Sequence, residues 1–219
     1  MACPSRPIRR KLAAMLRALV LAVLAAPALA QPVTAPAPAP GQSWRAVASP
    51  DDRRRLRDWR DAWLDGLAAA RASGHGDAIA AEGALLDPDA ALADPPPPPG
   101  DYACRVIKLG SQSGTLDYVA YPAFRCRIRA DGESLVFAKL TGSQRPMGRL
   151  YADQSSRLIF LGTMQLGDER RAYQYGIDAD RDMVGMMQRI GPDRWRLALP
   201  WPRFESLVDV IELIPAGRP

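Results

Sequence analysis

Histidine is almost missing from this 219-residue sequence, where His75 stands alone. A histidine-based triad would have to be built around Gly74-His75-Gly76, which reads as an exposed turn between helices. Cysteine is scarce too, at three residues, and no pair has the Cys-x-x-Cys spacing of a thioredoxin-like site. Structural zinc usually takes four ligands, more than Cys104, Cys126 and His75 can supply. No apolar run reaches the eighteen or so residues of a spanning helix. Phosphate-cradling loops are absent in both common forms, Gly-x-x-x-x-Gly-Lys-Ser/Thr and Gly-x-Gly-x-x-Gly. Gly110-Ser-Gln-Ser-Gly114 has the outline of a nucleophile elbow, but its central residue is Gln112 and no α/β context surrounds it. No catalytic constellation and no cofactor are expected.

What is present begins with an export pattern. Arg6, Arg9, Arg10 and Lys11 precede the apolar run Ala18 to Ala26, and Ala28-Leu29-Ala30 offers the small residues a signal peptidase reads. Residues 1–30 are therefore predicted to be a signal peptide cleaved between Ala30 and Gln31, giving a periplasmic or secreted protein. Cys3 lies far upstream of that site, so a lipid anchor is not indicated. The chain carries 29 Lys and Arg against 24 Asp and Glu, a formal charge of +5. Five of those cations fall in residues 1–30, which hold no acid, so the remaining 24 balance the 24 acids. The basic excess belongs to the leader, and nucleic-acid binding loses its support.

Composition divides the mature chain. Residues 31–43 alternate Ala and Pro, favour extended polyproline II and read as a disordered linker. Residues 44–94 read as a helical segment. Ser49-Pro50-Asp51-Asp52 supplies an N-cap, a first-turn proline and acids, and Leu56, Trp59, Trp63, Leu67 and Ala70 form one apolar stripe that ends near Gly74. A second helix is expected over 77–86. Residues 95–100, Pro95 to Pro99 with Gly100, read as a stiff hinge.

Beyond it the period changes from 3.6 to 2, and turn signals such as Asp131-Gly132 recur at short intervals. Strands are expected at 102–109, 118–129, 134–140, 147–151, 157–163, 171–177, 183–190, 194–199 and 207–214. The fold class is thus mainly β with N-terminal helices (α+β). Residues 101–216 form an antiparallel β-barrel or sandwich of about eight or nine short strands. Leu158-Ile159-Phe160-Leu161 is apolar on both faces, and the Trp59/Trp63 stripe is expected to cover its outer side. Phe124, Phe137, Phe160 and Trp195 belong to the inward set, and such bulky rings favour a filled interior.

Phe124, Cys126 and Ile128 alternate with Arg125, Arg127 and Arg129, which turns Cys126 inward and the arginines to water. Tyr102, Cys104 and Val106 share a face in the same way. Two antiparallel neighbours would bring the sulfurs within reach if the cysteines stood directly opposed, at Cα separations of about 4.5–5.5 Å. In an oxidising compartment this even pair is expected as a structural disulfide.

Two polar groups are candidate sites. Thr141-Gly-Ser143-Gln144-Arg145-Pro could line a barrel mouth beside Asp168-Glu169-Arg170, with Arg145 offering a bidentate contact to a carboxylate of a ligand or partner; the same residues also suit a structural turn with Arg145 in a local ion pair. Asp178, Asp180 and Asp182 have the first spacings of a calcium loop. Position six is Met183 instead of Gly and position twelve is Arg189 instead of Glu, so they read chiefly as a solvated turn.

The runs Lys139 to Arg145, Tyr175 to Asp182, Arg194 to Leu197 and Leu207 to Pro215 resemble the exported bacterial proteins grouped as domain of unknown function 4893. FRCRI and the Cys104 segment fit the same resemblance, which spans roughly Trp44 to Pro215. It implies a secreted or periplasmic protein of unassigned role and transfers no catalytic or binding residue. The expectation is a non-enzymatic binding or interaction module of the cell envelope, whose partner is an envelope protein or a small ligand. A calycin-like or protease-inhibitor-like barrel, or an enzyme working through carboxylates, are the alternatives.

Overall fold

The structure, a computed structural model, describes residues 42–114 and 116–217. The predicted signal peptide lies outside the described residues, as does all of the predicted linker but Gln42 and Ser43. Four short helices come first: α1 (Trp44–Val47), α2 (Pro50–Arg57), α3 (Trp59–Ala72) and α4 (Gly76–Glu82), the last running into a 3₁₀ turn, Gly83–Leu85. Nine strands follow: β1 (Gly100–Leu109), β2 (Tyr118–Ala120), β3 (Phe124–Asp131), β4 (Ser134–Lys139), β5 (Gln144–Gln154), β6 (Arg157–Leu166), β7 (Asp182–Gly191), β8 (Arg194–Pro200) and β9 (Val208–Pro215).

Eight of these strands meander antiparallel from β1 through β3 to β9, and β9 pairs back onto β1 to close a barrel. The predicted class is therefore realised as a barrel, which leaves no free edge around most of its circumference. β2 is the extra strand. It takes the second half of one edge of β1, from Ile107 to Leu109, while β3 takes the first half, from Gly100 to Cys104. The strand expected over 118–129 breaks in the loop at Pro122, which has no N–H to donate to a ladder. The strand expected over 171–177 does not form, and residues 167–181 are irregular. There the apparent alternation reflects Tyr175, whose hydroxyl is engaged by α2: it donates to Asp52 and accepts from the Ser49 N–H at 2.9 Å.

The helices cover the outer wall from β5 round to β1. Ser49 caps α2 as its sequence predicts, accepting from the Asp52 N–H. The single long helix expected after it is interrupted at Asp58. A barrel wall curves away from a straight rod, and the two pieces lie over different strands. Leu56 and Trp44 cover Ile159, Leu161 and Val184. Trp63, Leu67 and Ala70 pack on Ile107, Leu109, Val208 and Val210. Cover for β6 thus comes from α1 and α2 with Trp59, while Trp63 packs with residues of β1 and β9, so only the first ring of the expected Trp59/Trp63 stripe lies over β6.

Inside, one end is filled. Phe137 and Phe160 meet edge to face at 6.0 Å, as do Tyr102 and Trp195 at 6.2 Å. Both rings of the second pair reach a proline strap. The Tyr102 hydroxyl donates to the Pro98 carbonyl at 2.5 Å, and the Trp195 indole donates to the Pro95 carbonyl at 3.2 Å. Arg189 adds bonds to the carbonyls of Ala93 and Asp94. Residues 95–100, expected as a hinge, are instead tied across the barrel floor.

Gly148 and Gly162 stand opposite each other, in phase with the inward residues of β5 and β6. A Cβ on Gly162 would lie 2.3 Å from the Met147 carbonyl oxygen and 2.5 Å from Phe160 Cζ. Gly162→Ala must displace backbone and ring together, and urea unfolding should register a loss of about 1–3 kcal/mol. An unchanged midpoint would mean that the wall can yield there.

Candidate functional site

At the end opposite the strap, the inward phase of each strand continues with polar residues instead of rings. On β1 the set Tyr102, Cys104, Val106 runs on to Lys108. On β4, Phe137 is followed two residues later by Lys139. The register sets Lys108 directly opposite Asp209 of β9. All three charged side chains are at least nine-tenths buried.

Lys108 Nζ lies 3.1 Å from Asp209 Oδ2 and 3.1 Å from Glu205 Oε2. Ser206 Oγ donates to the other Asp209 oxygen, Oδ1. Burial pulls the Lys108 ammonium down, but Asp209 and Glu205 outweigh it and hold it above the usual lysine value. Burial pushes the Asp209 carboxyl up, against the pull of Lys108 and Ser206. The direction that governs the pair is that of Lys108. Two carboxylates facing one ammonium keep the lysine charged.

Glu205 reaches this position from the β8–β9 loop with φ +71°, a left-handed conformation that few non-glycine residues adopt. Gln112 pins the loop, donating from its side chain to the carbonyls of Pro202 and Ser206 at 2.6 and 2.9 Å. Gln144 Nε2 donates to Glu205 Oε1 at 3.2 Å, a link from the start of β5 across the opening.

Lys139 is held differently. Its Nζ donates to the carbonyls of Thr141 and Gln144, each at 2.9 Å, and sits 3.6 Å from the centroid of the Phe124 ring. The turn that makes this possible needs Gly142. Its φ is +88°, and a Cβ there would lie 2.8 Å from Lys139 Nζ and 3.0 Å from Phe124 Cε1. No carboxylate among the described residues forms an ion pair with Lys139. Burial, then Arg145 and Lys108, bring its pKa down to about 8.

These groups surround a pocket of about 280 Å³ whose apolar lining includes Val106, Phe124, Pro146, Met164, Leu199 and Ile211. A wider depression of about 990 Å³ lies outside the barrel beside Met147, Tyr151 and Tyr173. The mouth is the stronger candidate, because its charges are buried and act through little solvent. An inner volume of this size falls just below the range of about 300–1,000 Å³ usual for ligand sites, which suits only a small molecule. The expectation of a filled interior therefore holds for one half of the barrel only.

Of the residues singled out in the sequence, Ser143 and Gln144 line this pocket. Arg145 is spent on structure, donating to the carbonyls of Gly142 at 2.8 Å, Gly167 at 2.6 Å and Glu169 at 3.2 Å. Glu169 accepts from the Leu166 N–H and pairs with Arg181 at 2.9 Å, and these two contacts hold its carboxyl below the usual range. Asp168 and Arg170 are exposed in the same loop. Asp178, Asp180 and Asp182 are not brought to one point: Asp178 accepts from the Asp180 N–H and Asp182 from the Gly176 N–H. Among the described residues no three Asp, Glu, His or Cys side chains converge as a metal site requires. His75 stacks on Tyr118 at 5.0 Å and serves as a helix start.

Cys104 and Cys126 are bonded, with Cα atoms 5.9 Å apart. The expected disulfide is present, although the two cysteines are not directly opposed in the ladder. Cys104 faces Phe124 and Cys126 faces Tyr102, so the bond runs diagonally between β1 and β3.

Residues 44–213 match the family model described as Domain of unknown function (DUF4893). The chain belongs to that family. No curated protein and no solved structure matches it.

Proposed function

We propose that this protein is an exported binding module of the cell envelope that takes one small organic molecule into the mouth of its barrel, and that it is not an enzyme. The observation that carries this reading is the pocket beside Lys139, where a buried ammonium with no carboxylate partner among the described residues meets an apolar inner wall. Asp209 and Glu205 are both engaged by Lys108, so neither is free to act as a general base. Export is supported by the leader pattern of residues 1–30. The disulfide is compatible with it, and no helix among the described residues is long and apolar enough to cross a membrane.

Titration of isotope-labelled protein with a small-fragment library tests the binding. Amide shifts should cluster at Lys108, Lys139 and Gln144, and Leu199→Trp should abolish them while the rest of the spectrum is preserved. Shifts confined to the outer wall, or none at all, would overturn the reading. Mass spectrometry of the exported form should find a chain beginning at Gln31, and an intact Met1 terminus would remove the export claim.

A further inference from the structure

We infer that the ligand of the mouth is a small organic anion, a carboxylate with an apolar body, whose head binds Lys139 Nζ and whose body lies against Phe124, Met164 and Leu199. This rests on the binding reading above and names the ligand class of the same site. An ammonium has three N–H donors. Two of those on Lys139 are taken by the carbonyls of Thr141 and Gln144, and the third has no oxygen partner among the described residues. A buried cation in this state gains more from an anionic acceptor than from any neutral one.

The charge around the pocket points the same way. Of the charged side chains that line it, Lys108 engages both carboxylates, Asp209 and Glu205, and Lys139 pairs with neither. Arg145 is close enough to disfavour the charge on Lys139, although its own hydrogen bonds go to loop carbonyls. Asp209 lies behind Lys108 with Ser206 on its far oxygen. Glu205 is held aside by Lys108 and Gln144 and is about half exposed, so water screens it. The uncompensated charge is thus on the Lys139 side. Below it the lining is apolar, so a polar head at the rim and a hydrocarbon body inside satisfy both halves.

Calorimetric titration of the disulfide-intact protein with octanoate, 1-octanol and octylamine tests this. Octanoate should bind about ten- to a hundredfold more tightly than octanol, the span expected for a hydrogen bond to a charged group, and octylamine should not bind. Lys139→Met should reduce octanoate to the affinity of octanol, and Lys139→Arg should keep the preference for the anion if the methionine variant fails to fold. Octanoate affinity should also fall between pH 7 and pH 9.5 as Lys139 loses its proton, with octanol unaffected. Equal binding of octanoate and octanol, or tighter binding of octylamine, would overturn the anion inference and leave the pocket reading standing. If none of the three binds while library fragments still shift mouth amides, the ligand class is wrong. If no compound of either set reaches the mouth, the pocket reading falls as well.

Discussion

Arg196→Met is expected to lower stability by about 3–5 kcal/mol, the cost of removing one partner from a fully buried charged network. Arg196 is on the outer face of β8 and wholly enclosed by the helical cover. Its guanidinium donates to Gln188 Oε1 at 2.9 Å and to the carbonyls of Ala84, Leu85, Asp87 and Pro88 at 2.5 to 3.2 Å. The carbonyls belong to the 3₁₀ turn after α4 and the bend that follows, where helical hydrogen bonding has run out. The cation also lies 4.6 Å from the centroid of Trp63, whose indole donates to the Leu86 carbonyl at 3.0 Å. One side chain therefore saturates the turn and seats the central tryptophan of α3. Burial lowers the Arg196 pKa to about 10 against the pull of Asp87 and Asp89, so the charge survives at neutral pH.

In the methionine variant the buried Leu85 carbonyl and the part-buried carbonyls of Ala84 and Pro88 lose their Arg196 donor, while that of Asp87 keeps the Ala90 N–H. At roughly 2–4 °C per kcal/mol for a domain of this size, the melting temperature should fall by about 10 °C. Arg196→Lys should recover only part of the loss, because one ammonium cannot span acceptors spread around a planar fork. A methionine variant that melts within a degree of the parent would show that the turn is held by packing alone.

Much of this architecture was readable in the sequence, and the failures have identifiable causes. The Phe124–Cys126–Ile128 alternation located the interior because period two is local to one strand. Register is a relation between strands, so the diagonal offset of Cys104 and Cys126 could not be read from either run. The break at Asp58 likewise depends on the curvature of a wall that closes only in three dimensions. The mouth was missed for another reason. Lys108 continues the inward phase of Tyr102, Cys104 and Val106, Lys139 continues that of Phe137, and Asp209 interrupts Val208-Asp-Val-Ile. A charge in the buried phase of an apolar run is a usable signal. The hydrogen bonds of Arg145 to loop carbonyls fit the structural turn, but the local ion pair expected with it does not form among the described residues.

Reduction of the Cys104–Cys126 bond is expected to cost about 3 kcal/mol, from the loop of 22 residues that the bond closes in the unfolded chain. The sulfurs sit where β1 changes partners. Cys104 is the last residue of β1 paired with β3, and from Ile107 onward that edge belongs to β2. Between them the chain leaves the wall and returns, so the hold of β3 on β1 ends at the bond. Urea unfolding of the oxidised protein, the reduced protein and the Cys104→Ala/Cys126→Ala variant separates the covalent term from packing. Reduced protein keeps both sulfur atoms in the core, so its loss reports chain entropy; the alanine variant should lose roughly 1 kcal/mol more per vacated site. The slope against urea should rise on reduction, because an untethered unfolded chain exposes more surface. If reduction lowers stability by less than about 0.5 kcal/mol at an unchanged slope, the β1–β3 ladder holds the branch point without the covalent bond, and folding needs no oxidising surroundings.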